Sequence, residues 1–370
     1  MAVLRINLLK IKHLKYKGLK LKSNVLVISV SNKGAGGVAS VVSTFMESEY
    51  LNSKYKISYF FTNNSGNNFI KLLSTLCAFV LFPFLLIFNN YKLAHIHGGS
   101  VLRKSYYALW LKLFGIPIIY QNHAANLDSF YTNAAGIKKI YLRYIFNLYD
   151  LRLCLGSYWE NTLNKVMDKK WDVLYNPVPE LLLNNTTHDT CNFTFMGELS
   201  ERKGIKDLIH AFAKSENDNT RLLVAGNGDV DSLVTLCSEL GISEKVEFLG
   251  WINKEQKLDL LARTDVVVLP SYAEGLPMSI LEAMSVGLPV ITTPVGAVED
   301  AITHNEHGML VNPGNVAQIS SALSELALDS NKRTELGEAA KIKFLKCFKD
   351  DVVAKTLSDY YQQLITKAEK

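Results

Sequence analysis

Two carboxylates and two cations in this chain have the types and spacing for chemistry. Glu274 and Glu282 stand eight positions apart in the string Glu-Gly-Leu-Pro-Met-Ser-Ile-Leu-Glu, and Arg202 and Lys203 are adjacent, just before Gly204. A carboxylate such as Glu282 can accept hydrogen bonds from a vicinal diol, for example a ribose. An Arg-Lys pair can clamp a diphosphate, Arg through forked donors and Lys as a point charge. A departing nucleoside diphosphate needs its growing negative charge stabilised in the transition state. Taken singly, each of these residues is equally an ordinary solvated charge, so the elements that carry them decide.

The stretch from Asp265 to Pro294 reads as strand, loop, helix and strand, one βαβ unit. Val266-Val267-Val268-Leu269 and Val290-Ile291 are apolar runs without alternation, as in parallel strands buried on both faces. Pro277 suits a first helical position and Gly287 a helix end. In an open α/β sheet, ligands bind just outside the carboxyl ends of the strands. Glu274 therefore belongs at a ligand's edge, beside free backbone N–H groups of the next helix that favour a phosphate or a sugar oxygen. Glu282 lies about a turn into that helix. Arg202 and Lys203 follow the run Phe193-Thr194-Phe195-Met196-Gly197, again at a strand's carboxyl end, with a helix expected from Asp207 to Ala213.

The amino-terminal half repeats this logic. A strand from Asn24 to Val30 leads into a Gly-rich turn containing Gly36 and Gly37, then a helix from about Ala39 to Glu47. Such a turn lets a backbone approach a ligand closely, although the dinucleotide spacing Gly-x-Gly-x-x-Gly is absent. His95, His97 and His123 close two further strands and face the cleft side. A lone His there more often has a hydrogen-bonded structural role. Ile140 to Asp150 reads as an aromatic-rich amphipathic helix, and Ser157 as a cap before Tyr158-Trp159. Leu72 to Phe88 is the most apolar stretch, seventeen residues broken only by Ser74, Thr75 and Pro83. A span needs about 20 apolar residues, and a span here would split one sheet across a bilayer. An exposed or interfacial helix is expected, with a core helix as its rival.

With 370 residues the chain exceeds the usual single-core limit, so two domains are expected. The net charge of +5 is uneven: residues 1–23 hold Arg5, Lys10, Lys12, Lys15, Lys17, Lys20 and Lys22 and no acid. That tail suits a solvated segment or an anionic membrane face. It does not read as a signal peptide, because no sustained apolar region or cleavage site follows. Confinement of the basic excess to one tail, without interleaved aromatics, argues against nucleic acid. Five widely spaced cysteines without Cys-x-x-Cys argue for a reducing compartment, with neither a disulfide framework nor a zinc cluster.

The full string from Glu274 to Ile291 closely resembles the signature of the retaining nucleotide-sugar glycosyltransferases of family 4, which carry Glu-x7-Glu in this same loop and helix. The resemblance is strongest from about Phe193 to Asn315. It implies an α/β chain of two facing Rossmann-like domains (the GT-B fold) with the active site in the interdomain cleft. Residues 1–183 would form the acceptor-binding domain, 190–349 the nucleotide-sugar-binding domain, and 350–370 a final helix packing back on the first, with a linker at 184–189. By the same resemblance, Gly36 and Gly37 approach the donor pyrophosphate, and His123 contacts the donor sugar. Gly275, Leu276, Pro277 and Met278 line that sugar with Glu274. Trp251 and Ile252 lie near the base, a core Trp251 being the alternative. The family often has Gly-Arg at the strand end and Lys-Gly further on. Lys203-Gly204 matches the second, while Glu198 stands where the first would be, so the Arg role falls to Arg202.

The expectation is a retaining, metal-independent hexosyltransferase. It would move a hexose from a UDP- or GDP-sugar to a polyprenyl-diphosphate-linked glycan in surface polysaccharide synthesis. No cofactor and no metal are expected. The protein would sit in the cytoplasm, peripheral on the inner face of a bacterial plasma membrane. Rival readings are a nucleotide-sugar 2-epimerase or a phosphorylase on the same architecture, and an inactive sugar-nucleotide binder. No lysine in a recognisable pyridoxal context speaks for the phosphorylase.

Overall fold

The computed structural model describes residues 22–30, 36–62, 68–183, 189–215 and 218–370. Most of the basic tail and the expected linker lie outside the described residues.

The first sheet contains β1 (Ser23–Ser29), β2 (Tyr55–Phe61), β3 (Leu93–His97), β4 (Ile118–Gln121), β5 (Leu151–Cys154) and β6 (Asp172–Val173). Its helices are α1 (Gly37–Glu47), α2 (Glu49–Lys54), α3 (Asn68–Phe88), α4 (Val101–Leu113), α5 (Leu127–Thr132), α6 (Gly136–Leu148) and α7 (Ser157–Met167). The second sheet contains β7 (Cys191–Met196), β8 (Thr220–Ala225), β9 (Val246–Gly250), β10 (Val266–Leu269), β11 (Val290–Thr292) and β12 (Gly308–Leu310). Around it run α8 (Ile205–Lys214), α9 (Val230–Glu239), α10 (Lys254–Ala262), α11 (Met278–Val286), α12 (Val298–Ala301), α13 (Val316–Leu328) and α14 (Ser330–Cys347). The chain ends in α15 (Asp350–Ala368).

The strand orders are β2-β1-β3-β4-β5-β6 and β12-β11-β10-β7-β8-β9. Every described pairing is parallel, with β1 matching Val25 to Ile57 and Leu93. Each sheet reverses direction at its first strand, where a crevice opens for a ligand. The expected pair of facing Rossmann-like domains is the observed architecture. The strand sequences explain why both faces need cover. In β1, Leu26 and Ile28 enter one core cluster, while Val25 and Val27 enter another.

That second cluster is completed by α15. Val353, Ala354, Leu357 and Tyr361 pack with Val41, Phe45 and Leu51 of the first domain. The chain reaches this face at Val178, whose N–H donates to the Phe348 carbonyl (3.1 Å) and whose carbonyl accepts from Asp350 N–H (2.9 Å).

The apolar stretch forms α3, with Pro83 inside the helix. Ala78, Phe82 and Leu86 are buried, and Phe82 stacks edge-on against Tyr107 of α4 at 4.8 Å. Leu81, Phe84 and Phe88 remain exposed. One stripe is core and another faces solvent, so the exposed and the core reading each describe one side of the helix. Among the described residues no helix is long and apolar enough to cross a membrane.

Three local expectations need correction. Ser157 makes no side-chain cap on α7: it is the first helical residue, with Gly156 in the capping position, and its hydroxyl donates to Asp300 of the other domain. Pro277 is the residue before the helix rather than its first residue, with extended backbone (ψ 129°). The aromatic helix runs from Gly136 to Leu148; Asp150 lies beyond it, its N–H donating to the Ile118 carbonyl and its carboxylate engaged by Lys112 and the Ile118 N–H.

Candidate active site

The geometry begins at the turn after β7. Glu201–Lys203 is one turn of 3-10 helix, followed by Gly204 at φ +72°. A Cβ at Gly204 would collide with the Pro270 carbonyl at the end of β10, so only glycine lets the two loops touch. That contact puts both cations beside the glutamate loop. Lys203 Nζ lies 2.5 Å from Glu274 Oε1, and Ser271 Oγ donates to the same oxygen at 2.7 Å. Arg202 donates to the Ala273 carbonyl (2.9 Å), and its guanidinium is 4.0 Å from Glu274 Oε2. Glu198 accepts from Arg202 at 3.2 Å, so the residue that departs from the family pattern orients the arginine.

Glu274 is 6% exposed and Glu282 is 8% exposed. The second carboxylate is held by Lys257, which reaches across from α10. A buried carboxylate without a cation or donors would be costly, and each glutamate has its own lysine. A ribose diol at Glu282 would share that carboxylate with Lys257.

The first domain contributes the opposite wall. A Cβ on Gly275 would stand 3.0 Å from Leu155 and 3.3 Å from the His123 carbonyl, so the glutamate loop abuts the strand ends of the first sheet. Gly37 faces Met278, whose Cγ is 3.4 Å from where its Cβ would be, and Gly36 adopts φ +118° beside it. Trp159 Nε1 donates to the Gly275 carbonyl (3.0 Å), and Asn176 Nδ2 donates to the Leu276 carbonyl (2.9 Å). Asp300 of α12 accepts from the Ser157 N–H (2.6 Å), the Ser157 hydroxyl and the Tyr175 hydroxyl (3.2 Å). The carboxylate of one domain thus serves the helix start of the other.

His123 is one end of a ladder of imidazoles. Its Nε2 is 3.0 Å from His97 Nδ1, the His95 and His97 rings stack at 4.3 Å, and His95 Nδ1 is 2.9 Å from the Tyr361 hydroxyl of α15. Burial pushes His123 down to about 4 and His95 to about 3, and holds His97 well below the usual imidazole range. All three are neutral near pH 7.

The structure therefore gathers Gly36, Gly37, His123, Arg202, Lys203, Glu274, Gly275, Leu276, Pro277 and Met278 around one interdomain gap, with Glu282 a turn further along α11. Trp251 and Ile252 stand apart, just beyond the edge strand β9. Trp251 is 56% exposed, so it is not a core tryptophan. Sequence reasoning missed Lys257, Ser271, Trp159, Asn176, Asp300 and Tyr361. Ser271 sits three residues before Glu274 and was within reach of a local reading. The others come from distant segments and carried no local signal.

Residues 184–343 match the family described as glycosyl transferases, group 1. The first domain lies outside that match. An uncharacterised glycosyltransferase of Methanocaldococcus jannaschii is 36% identical over 170 residues, 45% of this chain and 44% of that protein. The chain thus spans less than half the length of this curated relative. Among solved structures, a sucrose-phosphate synthase from Thermosynechococcus elongatus superposes with a TM-score of 0.80 at 19% identity, over 94% of this chain and 100% of that one. An Anabaena protein solved with UDP and glucose gives 0.73 at 17% identity, over 92% and 100%. Both likenesses extend through the two domains and establish the shared GT-B fold.

Proposed function

We propose that this protein is a retaining glycosyltransferase that moves a hexose from a UDP- or GDP-sugar to an acceptor hydroxyl. The observation that carries the reading is Glu274, fixed between Lys203 and Ser271 on a loop that touches His123 across the gap. Arg202, Lys203 and the unbonded N–H groups at the start of α11 take up the charge of the departing diphosphate. Glu274 and His123 orient sugar hydroxyls, and Glu282 with Lys257 holds the ribose. In the transfer, the bond from C1 to the diphosphate oxygen breaks and a bond from C1 to the acceptor oxygen forms on the same face. The acceptor proton passes to the leaving phosphate. Charge neutralisation is assigned to side chains, so the reaction runs without a metal. The relative solved with UDP and glucose and the matched carboxyl-terminal segment support a nucleotide-sugar donor.

The acceptor is read as a lipid-linked glycan at an anionic membrane face. In support, α3, α4 and α6 contain no Asp or Glu. They pack side by side and expose Leu81, Phe84, Phe88, Leu113, Ile137 and Ile140. Apolar side chains among basic ones suit an interfacial site. The test is product analysis with a panel of UDP- and GDP-sugars, with the anomeric configuration read by NMR. A product of inverted configuration, or donors bound no better by wild type than by Lys203→Met, would refute the reading.

A further inference from the structure

Lys104 is 3% exposed, in the first turn of α4. A buried ammonium ordinarily faces a carboxylate or a set of acceptor oxygens. Among the described residues its hydrogen bond is a long one, 3.4 Å to the Thr62 hydroxyl. The strands that end nearby, β1, β2 and β3, contain no acid, and neither does α4. Burial pushes the ammonium down to about 7, and the charge of the exposed Arg103 beside it acts in the same direction. This cation lies at the carboxyl edge of the first sheet: Thr62 N–H donates to the Ser29 carbonyl at 2.9 Å, and the Lys104 charge is felt at His97, which bonds His123.

The backbone around Lys104 offers further donors. The first backbone bond of α4 runs from Lys104 N–H to the Ser100 carbonyl (3.0 Å), leaving the amides of Val101, Leu102 and Arg103 without a helical partner. Ser100 makes no side-chain cap. The turn before it is held against β4, because Gly98 N–H donates to the Gln121 carbonyl at 2.6 Å. Gly99 follows at φ +145° with open space where a side chain would be.

We propose that Lys104 and the free amides of the first turn of α4 bind an oxyanion carried by the acceptor, a phosphate or a carboxylate. The inference rests on the transferase reading only in taking this side of the gap as the acceptor's. It names the acceptor's chemical class: an anionic molecule, with its charge on the first domain and its hydroxyl toward the donor. Without a ligand, a lysine retained for packing alone would be better replaced by an apolar side chain of the same shape.

The probe is radiolabelled pyrophosphate in equilibrium dialysis with the full chain. Wild type should bind two equivalents, one at the donor cations and one at Lys104. Lys104→Met should lose one, or weaken it at least tenfold, and Lys104→Arg should restore it. Lys203→Met should lose the other. Two equivalents of unchanged affinity in Lys104→Met, or a wild type that binds one and loses it only with Lys203→Met, would overturn the proposal. If Lys203→Met keeps two while Lys104→Met keeps one, the anion site stands and the donor reading falls. Should Lys104→Met fail to fold, Lys104→Gln answers the same question.

Discussion

The two walls of the cleft solve the problem of buried charge in opposite ways. On the carboxyl-terminal wall each buried carboxylate has a lysine, Glu274 with Lys203 and Glu282 with Lys257. On the amino-terminal wall stand three imidazoles kept neutral and one buried lysine that, among the described residues, bonds a hydroxyl and not a carboxylate. The paired wall is pre-organised: Lys203 and Lys257 are already held in place by the carboxylates they face. An unpaired wall waits for its partner from the ligand. The family match, over residues 184–343, covers the paired wall and leaves the unpaired one outside it.

The contrast breaks most visibly at Glu274 and Lys203. Glu274→Gln and Lys203→Met should each lower kcat by about a hundredfold to a thousandfold, the scale seen when one electrostatic contact to a transition state is removed. Lys203→Met should raise donor KM as well, because it strips a diphosphate contact and leaves Glu274 buried without its cation. If Lys104→Met caused the larger fall in donor affinity, the assignment of the two walls would be reversed.

The neutral ladder gives the next largest effect, in stability. His95 and His97 have folded values far below the unfolded value of about 6.5. Below that pH the unfolded chain takes up protons that the folded ladder refuses. Stability is therefore intact above about pH 6.5 and is lost as pH falls toward the folded values, near 3 for His95. The slope is up to roughly 1.4 kcal/mol per pH unit for each histidine held neutral. Thermal melts from pH 7.5 to 5 should show this fall, and His95→Asn should flatten it.

How much of this was legible in the chain differs between the walls for the same reason. The strand-loop-helix string around Glu274 sets its own local frame: Gly275 and Gly287 punctuate it, and the apolar runs declare buried parallel strands, although its cations come from the turn before Gly204, about seventy residues earlier. The pairing of Glu282 with Lys257 spans twenty-five residues and two helices, and no spacing rule announces it. On the amino-terminal wall the histidines were visible as strand ends, but the hydrogen bond between His95 and Tyr361 depends on α15 crossing from the end of the chain. Lys104 looked like any helix lysine, because burial is a property of the packed face and not of the residue.

The joint between the walls should respond next. Asp300→Asn keeps the shape but removes the charge that serves the Ser157 N–H and hydroxyl. Hydrogen bonds to charged groups contribute about 1.5–3 kcal/mol. Urea unfolding should lose that much stability, or show the two domains separating into two transitions. An unchanged midpoint would mean that the domains are held by the α15 crossover instead.

The smallest effect isolates how one wall positions the other. Trp159→Phe removes the indole N–H that meets the Gly275 carbonyl, which follows Glu274 directly, together with one ring of a buried side chain. A neutral hydrogen bond contributes about 0.5–1.5 kcal/mol, so kcat/KM should fall by roughly twofold to tenfold. If the bond orients Glu274, the loss falls on kcat, and the variant's donor Kd, measured by UDP titration, stays within about twofold of wild type. If it only braces the domains, the loss appears in stability and is shared with Asn176→Ala, which deletes the neighbouring bond to Leu276. The split between kcat and stability thus says whether the amino-terminal wall takes part in the donor chemistry or only carries the acceptor to it.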